Sequence, residues 1–307
     1  MTRVGAVDLG TNSTRLLVAD VDAGRVEAIE RRLAITRLGE DVDRRRKLLP
    51  VSIARVRNTL VEYRRAAEQL GAERVLAIAT SAVRDAENGE AFLGEIEWSY
   101  GFATQMLDGD EEARLTFRGV ATGREVSDGT LVVDVGGGST ELIVGAAGGV
   151  GFHRSLDIGC VRLTERYGDD LDASAAQVRK ALPELDVEQA IGVAGTVTAL
   201  AALDLGLVEY DATRVHGHLL TRAGVAVQLE RLAALPLEER RRVPGLEPDR
   251  APVIVAGAVI LREVLDRYGL TEIEASEQDI LDGAALLAAE LPATAEGAAP
   301  PGAYTCC

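Results

Sequence analysis

Two stretches of this chain are copies of one pattern. Asp8-Leu-Gly-Thr-Asn-Ser-Thr-Arg-Leu-Leu-Val18 and Asp134-Val-Gly-Gly-Gly-Ser-Thr-Glu-Leu-Ile-Val144 match without a gap at Asp, Gly, Ser, Thr, Leu and Val, at a constant offset of 126 residues (134 minus 8). Such a repeat implies a duplicated unit, and a duplicated unit constrains the chain to two similar lobes. Each copy has an apolar run ending in Asp, a tight turn rich in Gly and hydroxyls, and a second apolar run. That order predicts a hairpin at residues 4–9 and 14–21, and again at 131–135 and 140–145.

Around the repeat, helical and extended patterns alternate. Helices are expected at 51–70, 90–100 and 110–120, with a strand at 74–79, then a polar stretch at 122–129 that suits a domain boundary. After the second hairpin come helices at 160–167, 175–182, 197–205, 221–235 and 250–268, strands at 190–193 and 271–275, and a last helix at 280–290. Alternation of this kind means α/β, with a mixed five-stranded sheet expected in each lobe and a cleft between the loops at Asp8 and Asp134. The expected division is 1–123 for the first lobe, joined by the helix at 280–290 packing back on it, and 124–279 for the second. The Ala-, Pro- and Gly-rich end at 292–307 is expected to be a disordered tail.

Composition removes several function classes. The chain has 307 residues and a formal net charge of −16, so it lacks the basic footprint that nonspecific nucleic-acid or membrane binding requires. No apolar run reaches spanning length and the N-terminus carries no signal-like core, so a cytoplasmic protein is expected. Three cysteines, Cys160 and the adjacent Cys306 and Cys307, form neither a disulfide framework nor a spaced zinc site.

The repeated turns suit phosphate. Glycine lets a backbone approach closely and turn its N–H groups inward as an anion nest, and Ser and Thr hydroxyls add donors. A strand-end Asp can hold a divalent cation. The copies differ where Arg15 of the first corresponds to Glu141 of the second, so one can grip an anion and the other a metal. The sequence has neither a Walker A nor a GxGxxG pattern.

At this point the residues resemble the exopolyphosphatase and guanosine pentaphosphate phosphohydrolase (Ppx/GppA) family of the actin-like ATPase superfamily. Beyond the loops, the resemblance rests on Thr80-Ser-Ala-Val-Arg-Asp-Ala-Glu-Asn88, Gly109-Asp-Glu-Glu-Ala-Arg-Leu115, Ile158-Gly-Cys-Val-Arg-Leu-Thr-Glu165, Ala194-Gly-Thr-Val-Thr198, Arg250-Ala-Pro-Val-Ile-Val-Ala-Gly257 and Ser276-Glu-Gln-Asp-Ile-Leu-Asp-Gly283. It implies two actin-like (ribonuclease H-like) lobes and hydrolysis of the terminal phosphoanhydride of inorganic polyphosphate. By resemblance Glu112 is the base, lying 29 residues before Glu141 (141 minus 112), and Glu111 is its helix-surface neighbour. The resemblance further implies magnesium, or manganese in its place, held by Asp134 and Glu141 with Asp8 as an indirect partner. Asn12, Ser13, Thr14 and Arg15, then Gly137, Gly138, Ser139 and Thr140, would cradle the terminal phosphates, with Arg84 adding a charged contact. Arg44-Arg-Arg-Lys47 could steer a polyanion or be a solvated charge run.

Three alternatives stay open. One is guanosine pentaphosphate (pppGpp) phosphohydrolysis, which presents the same phosphoanhydride end; another is a kinase of the same superfamily, disfavoured by the Glu-Glu-Ala-Arg block. The third is a noncatalytic polyphosphate-binding regulator. Pro252 stands where the family pattern has an acidic residue, which leaves Arg250 without an assigned role. Longer members continue into an additional helical domain that this sequence does not match, so a dimer built from that domain is not assumed, and a homodimer is one option for the oligomeric state.

Overall fold

The structure, a computed structural model, describes residues 1–146 and 149–292. The expected tail at 292–307 therefore falls, apart from Pro292, outside the described residues. The chain divides into two compact units, Met1–Glu125 together with the chain from Ile280 onward, and Val126–Asp279.

The first unit runs β1 (Thr2–Leu9), β2 (Ser13–Asp22), β3 (Arg25–Ile35), α1 (Val42–Arg45), α2 (Pro50–Gln69), β4 (Arg74–Ala79), α3 (Ser81–Arg84), α4 (Gly89–Tyr100), β5 (Ala103–Met106) and α5 (Gly109–Val120). The second runs β6 (Thr130–Val135), β7 (Thr140–Ala146), β8 (Gly149–Leu156), α6 (Cys160–Tyr167), α7 (Leu171–Ala181), β9 (Gln189–Val193), α8 (Ala194–Asp204), α9 (Ala212–Val215), β10 (Leu219–Thr221), α10 (Arg222–Ala233), α11 (Leu237–Arg240), α12 (Ile254–Arg267) and β11 (Glu272–Ala275). Helix α13 (Ile280–Glu290) returns to the first unit.

Sheet order in the first unit is β3-β2-β1-β4-β5, antiparallel through the first three strands and parallel from β1 to β4 to β5. The second unit reads β8-β7-β6-β9-β11 in the same sense, then adds β10 antiparallel to β11. Among the described residues its sheet thus has six strands, one more than expected, because three residues before α10 pair with β11. The duplication extends into an irregularity: the β2–β3 ladder shifts register between Val18 and Ala19, and the β7–β8 ladder between Val144 and Gly145. These positions are related by the same 126-residue offset (144 minus 18).

Period-2 alternation gives the first sheet two buried faces. Val7, Leu9, Leu16, Val18, Ala77 and Ala79 pack with Val56, Leu60 and Tyr63 of α2 and Phe92, Leu93 and Ile96 of α4. Val4, Ala6, Leu17, Ala19, Leu76 and Ile78 pack instead with Leu115 of α5 and with Ile280, Leu281, Ala284, Ala285 and Ala288 of α13. By the same alternation Asp8 and Arg15 lie on the face that carries α5. A Cβ on Gly283 would stand 2.0 Å from the Leu115 carbonyl oxygen, so α13 crosses α5 at a distance only glycine permits.

Candidate active site

In the first loop, β1 and β2 pair Asp8 directly with Arg15. Asp8 is buried, and Arg15 donates from Nε and Nη2 to its Oδ2 at 2.9 and 2.7 Å. The aspartate expected to assist a metal therefore already carries a guanidinium, and the arginine expected on phosphate is anchored at one edge by that contact. Backbone carbonyls of the turn are tied back: Gly39 N–H donates to Thr11 O at 2.8 Å and Arg37 N–H to Asn12 O at 2.9 Å. Across a trans peptide the N–H points opposite to the C=O, so the amides of Asn12 and Ser13 face away from the 37–39 segment. The Thr14 hydroxyl, named above as a phosphate donor, is fully buried and bonded to the Thr36 hydroxyl at 2.9 Å. It fastens the loop. Tyr63 of α2 donates to Thr14 O at 2.8 Å, and burial pushes its phenol up, so it stays a donor at working pH.

One donor in this loop has no protein acceptor. Asn12 is buried, and its Nδ2 lacks a hydrogen-bond partner. An unmatched buried donor costs about 1–3 kcal/mol, which an anion arriving at the loop would relieve.

The second loop repeats the plan with different fasteners. Asp134 and Glu141 sit opposite each other across β6 and β7, both buried at 7% and 1% exposure. Like charges facing across a strand pair disfavour each other, so this pair suits a cation. The Ser155 hydroxyl on β8 donates to Glu141 Oε1 at 2.8 Å. Three of the turn's carbonyls are bound by the start of α6: Cys160 N–H donates to Gly136 O at 2.9 Å, Val161 N–H to Gly137 O at 2.9 Å, and Arg162 Nε to Gly138 O at 2.7 Å. Planarity then turns the amides of Gly137, Gly138 and Ser139 away from α6, in a row. Thr140, expected among the phosphate donors, is fully buried and donates to Ile158 O at 2.6 Å, so it fastens as Thr14 does.

The two adjacent glutamates of α5 have separate tasks. Glu111 closes a capping box with Asp108, receiving the Asp108 amide at 2.9 Å while its own amide donates to Asp108 Oδ1 at 2.8 Å. Glu112 is buried instead, and Arg84 Nη1 lies 3.1 Å from its Oε2. Arg84 also donates to Leu107 O at 2.7 Å, so the arginine expected to meet phosphate is held against Glu112.

The 80–88 segment does more than supply Arg84. The Ser81 hydroxyl bonds the Thr11 hydroxyl at 3.0 Å, and the Asn88 amide exchanges two hydrogen bonds with the Leu48 backbone at 2.8 and 3.1 Å. Sequence reasoning missed Ser81, Asn88, Tyr63, Ser155 and Arg162 as positioning groups. Only the motif blocks around Ser81, Asn88 and Arg162 carried a signal. Arg44 and Arg45 pair with Asp41 at 3.0 and 3.1 Å, and Lys47 with Glu87 at 3.4 Å, all on the surface. His216 accepts from Glu277 N–H at 3.2 Å and His218 pairs with Asp204 at 2.8 Å.

Among the described residues no group of three or more His, Cys, Asp and Glu could hold a metal ion by itself. Asp134 and Glu141 fit a magnesium-like ion all the same, since such an ion accepts one or two carboxylates and keeps water or substrate oxygens in its other positions.

The Ppx/GppA phosphatase family model matches residues 17–286. Exopolyphosphatase 2 of Mycobacterium tuberculosis is 39% identical over 315 residues, which cover 93% of this chain and 98% of the relative. The guanosine-5'-triphosphate,3'-diphosphate pyrophosphatase of Photobacterium profundum is 31% identical, over 86% of this chain and 55% of its own length. A crystal structure of the Aquifex aeolicus Ppx/GppA family member superposes with a TM-score of 0.76 at 31% identity, covering 94% of this chain and 97% of that one. The two mixed-sheet α/β lobes are those of this family. The chain belongs to the Ppx/GppA phosphatase family.

Proposed function

We propose that the protein is an exopolyphosphatase, which hydrolyses the terminal phosphoanhydride of inorganic polyphosphate and releases orthophosphate. The observation that carries this reading is Glu112, a buried carboxylate set against Arg84 while its neighbour Glu111 takes the helix cap. A carboxylate with no capping task, on the helix that covers the sheet face bearing Asp8 and Arg15, suits a base for a water molecule.

In this reading Glu112 orients the water and takes its proton as the water oxygen bonds to the terminal phosphorus. The bridging P–O bond then breaks, and the shortened chain leaves with its negative charge. Amides of Asn12, Ser13, Gly137, Gly138 and Ser139, the Asn12 Nδ2 and the outer edge of Arg15 bind nonbridging oxygens. Arg84 keeps Glu112 in place. Asp134 and Glu141 would hold a divalent cation, magnesium or manganese, whose charge offsets that of the phosphoryl oxygens. Asp8 acts through Arg15.

The chain's net charge of −16 repels a polyanion at long range, so these local donors and the cation must supply the attraction. A relative named exopolyphosphatase that matches almost end to end favours polyphosphate as the substrate. The guanosine pentaphosphate reading is the second one, favoured by a relative of that activity that the chain spans over about half its length. In this reading the protein works in the cytoplasm. No helix among the described residues is long and apolar enough to cross a membrane.

The test is phosphate release from long-chain polyphosphate, tripolyphosphate, ATP and guanosine pentaphosphate, side by side with magnesium and with chelator. Polyphosphate should turn over fastest, and chelator should stop it. Faster turnover of guanosine pentaphosphate moves the assignment to the second reading, and no release from any substrate overturns both.

A further inference from the structure

The block at 158–165 has no part in the chemistry proposed above, yet it touches the second loop at every peptide. Of the three carbonyls that loop turns toward α6, two are held by backbone amides, those of Cys160 and Val161. The third, Gly138 O, is held by a side chain, Arg162 Nε at 2.7 Å. Arg162 is only 8% exposed, an unusual place for a guanidinium on a helix that starts at Cys160. The equivalent carbonyl in the first loop, Asn12 O, is bound by a backbone amide, that of Arg37. The duplicated plan thus replaces one main-chain fastener with a charged side chain.

We propose that Arg162 is a positioning residue that holds the Gly138–Ser139 peptide so that the Ser139 amide points at the terminal phosphate. The inference rests on reading the loop as a phosphate cradle. The fixed direction of that one peptide follows from the hydrogen bond and from trans planarity, which places N–H opposite C=O. Without the guanidinium, Gly138 can rotate its peptide freely, because a glycine on that side imposes no steric preference. One of three aligned donors is then lost for part of the time, while the other two stay fixed by α6. A donor aimed at developing charge is worth far more when preorganised, so kcat should suffer more than substrate binding.

The experiment compares wild type, Arg162→Met and Arg162→Lys by steady-state kinetics on tripolyphosphate, by thermal unfolding, and by following the Ser139 and Gly137 amide resonances during titration with orthophosphate. Arg162→Met should lose about 10- to 100-fold in kcat with KM changed less than about threefold, and Arg162→Lys should recover part of the loss. In Arg162→Met the Ser139 amide should stop responding to orthophosphate while Gly137 still responds. A kcat within about twofold of wild type, or a loss in Arg162→Met that only tracks its unfolded fraction, overturns the proposal. So does a Ser139 amide that responds equally in both proteins. If wild type releases no phosphate from any substrate but its Ser139 amide still responds and Arg162→Met abolishes that, the hydrolase reading fails and the positioning role stands.

Discussion

Replacing Gly159 by alanine should damage the second loop without straining its own backbone. Gly159 has φ −143° and ψ 162°, an extended conformation open to any residue, so the substitution acts through space alone. An added Cβ would lie 2.3 Å from Gly137 O, 2.4 Å from Gly137 C and 2.6 Å from Gly138 C. Real Cβ contacts essentially never fall below 3.0 Å, so the carbonyl oxygen and Cβ must separate by at least 0.7 Å (3.0 minus 2.3). The obstacle is backbone, which cannot rotate out of the way as a side chain can. Moving α6 instead would stretch the Cys160 and Val161 bonds that orient the same loop. Overpacking of this kind costs about 1–3 kcal/mol of stability. A displacement near 1 Å at a reacting centre costs about 10²-fold in rate, so kcat/KM for phosphate release should fall on the order of 10- to 100-fold. The control is Gly94→Ala in α4, where nothing stands within 4 Å of the new Cβ; it should stabilise by roughly 0.5–1 kcal/mol and leave kcat/KM alone. Chemical denaturation and initial-rate phosphate release measure both variants. A Gly159→Ala protein with wild-type kcat/KM refutes the view that this loop's backbone position governs catalysis.

Glu112→Gln should lower kcat by about 10²- to 10⁴-fold with KM near normal, whereas Glu111→Gln, which keeps an oxygen for the Asp108 amide and loses only a charge at the helix N-terminus, should cost about 0.3–1 kcal/mol of stability and leave kcat near wild type; kinetics and denaturant melts on the pair separate these outcomes. Asp134→Asn should raise the magnesium concentration needed for half-maximal rate, read by titrating metal at saturating substrate; an unchanged requirement removes Asp134 from the metal's ligands. Neutralising Arg44, Arg45, Arg46 and Lys47 together should raise KM on long polyphosphate by about two- to fivefold at low salt and less at high salt, and a KM that does not move at either ionic strength removes this segment from substrate capture. Burial pushes the Cys160 thiol up, so in a variant with Cys306 and Cys307 changed to serine a thiol reagent should react only after denaturant is added; rapid labelling of the native protein contradicts that burial.

The elements with the clearest sequence signal were those buried on both sides. β1, β4 and β6 read as apolar runs because neighbours cover them, and α6 and α13 have their observed limits in the periodicity alone. The strands that escaped notice are edges or fragments. β3, with the sequence Arg-Val-Glu-Ala-Ile-Glu-Arg-Arg-Leu-Ala-Ile, mixes charge into nearly every pair of positions because one side meets solvent. β8 is the matching edge of the second sheet, while β5 and β10 have only four and three residues. Residues 250–253 read as helix from their apolar spacing, but Pro252 has no N–H to give and α12 starts at Ile254. In the site, residue types at the loops were legible and their division of labour was not. Nothing in the order of residues says that Thr14 and Thr140 fasten loops, that Arg84 leans on Glu112, or that Arg162 reaches Gly138, because each partner comes from a distant or crossing segment.

The return of α13 to the first unit sets an order for biogenesis. The chain leaves that unit at Glu125 and comes back at Ile280. A ribosome works from the N-terminus, so the whole of the second unit emerges before the helix that finishes the first. The large core of the second unit draws only on residues between Leu131 and Ala275, and it can close while synthesis continues. The first sheet meanwhile waits with Val4, Ala6, Leu17 and Ile78 partly uncovered, because Ala284, Ala285 and Ala288 have yet to arrive. The part of the chain made first is therefore the last to mature, and during that interval it presents an apolar sheet face for which a chaperone and a neighbouring nascent chain compete.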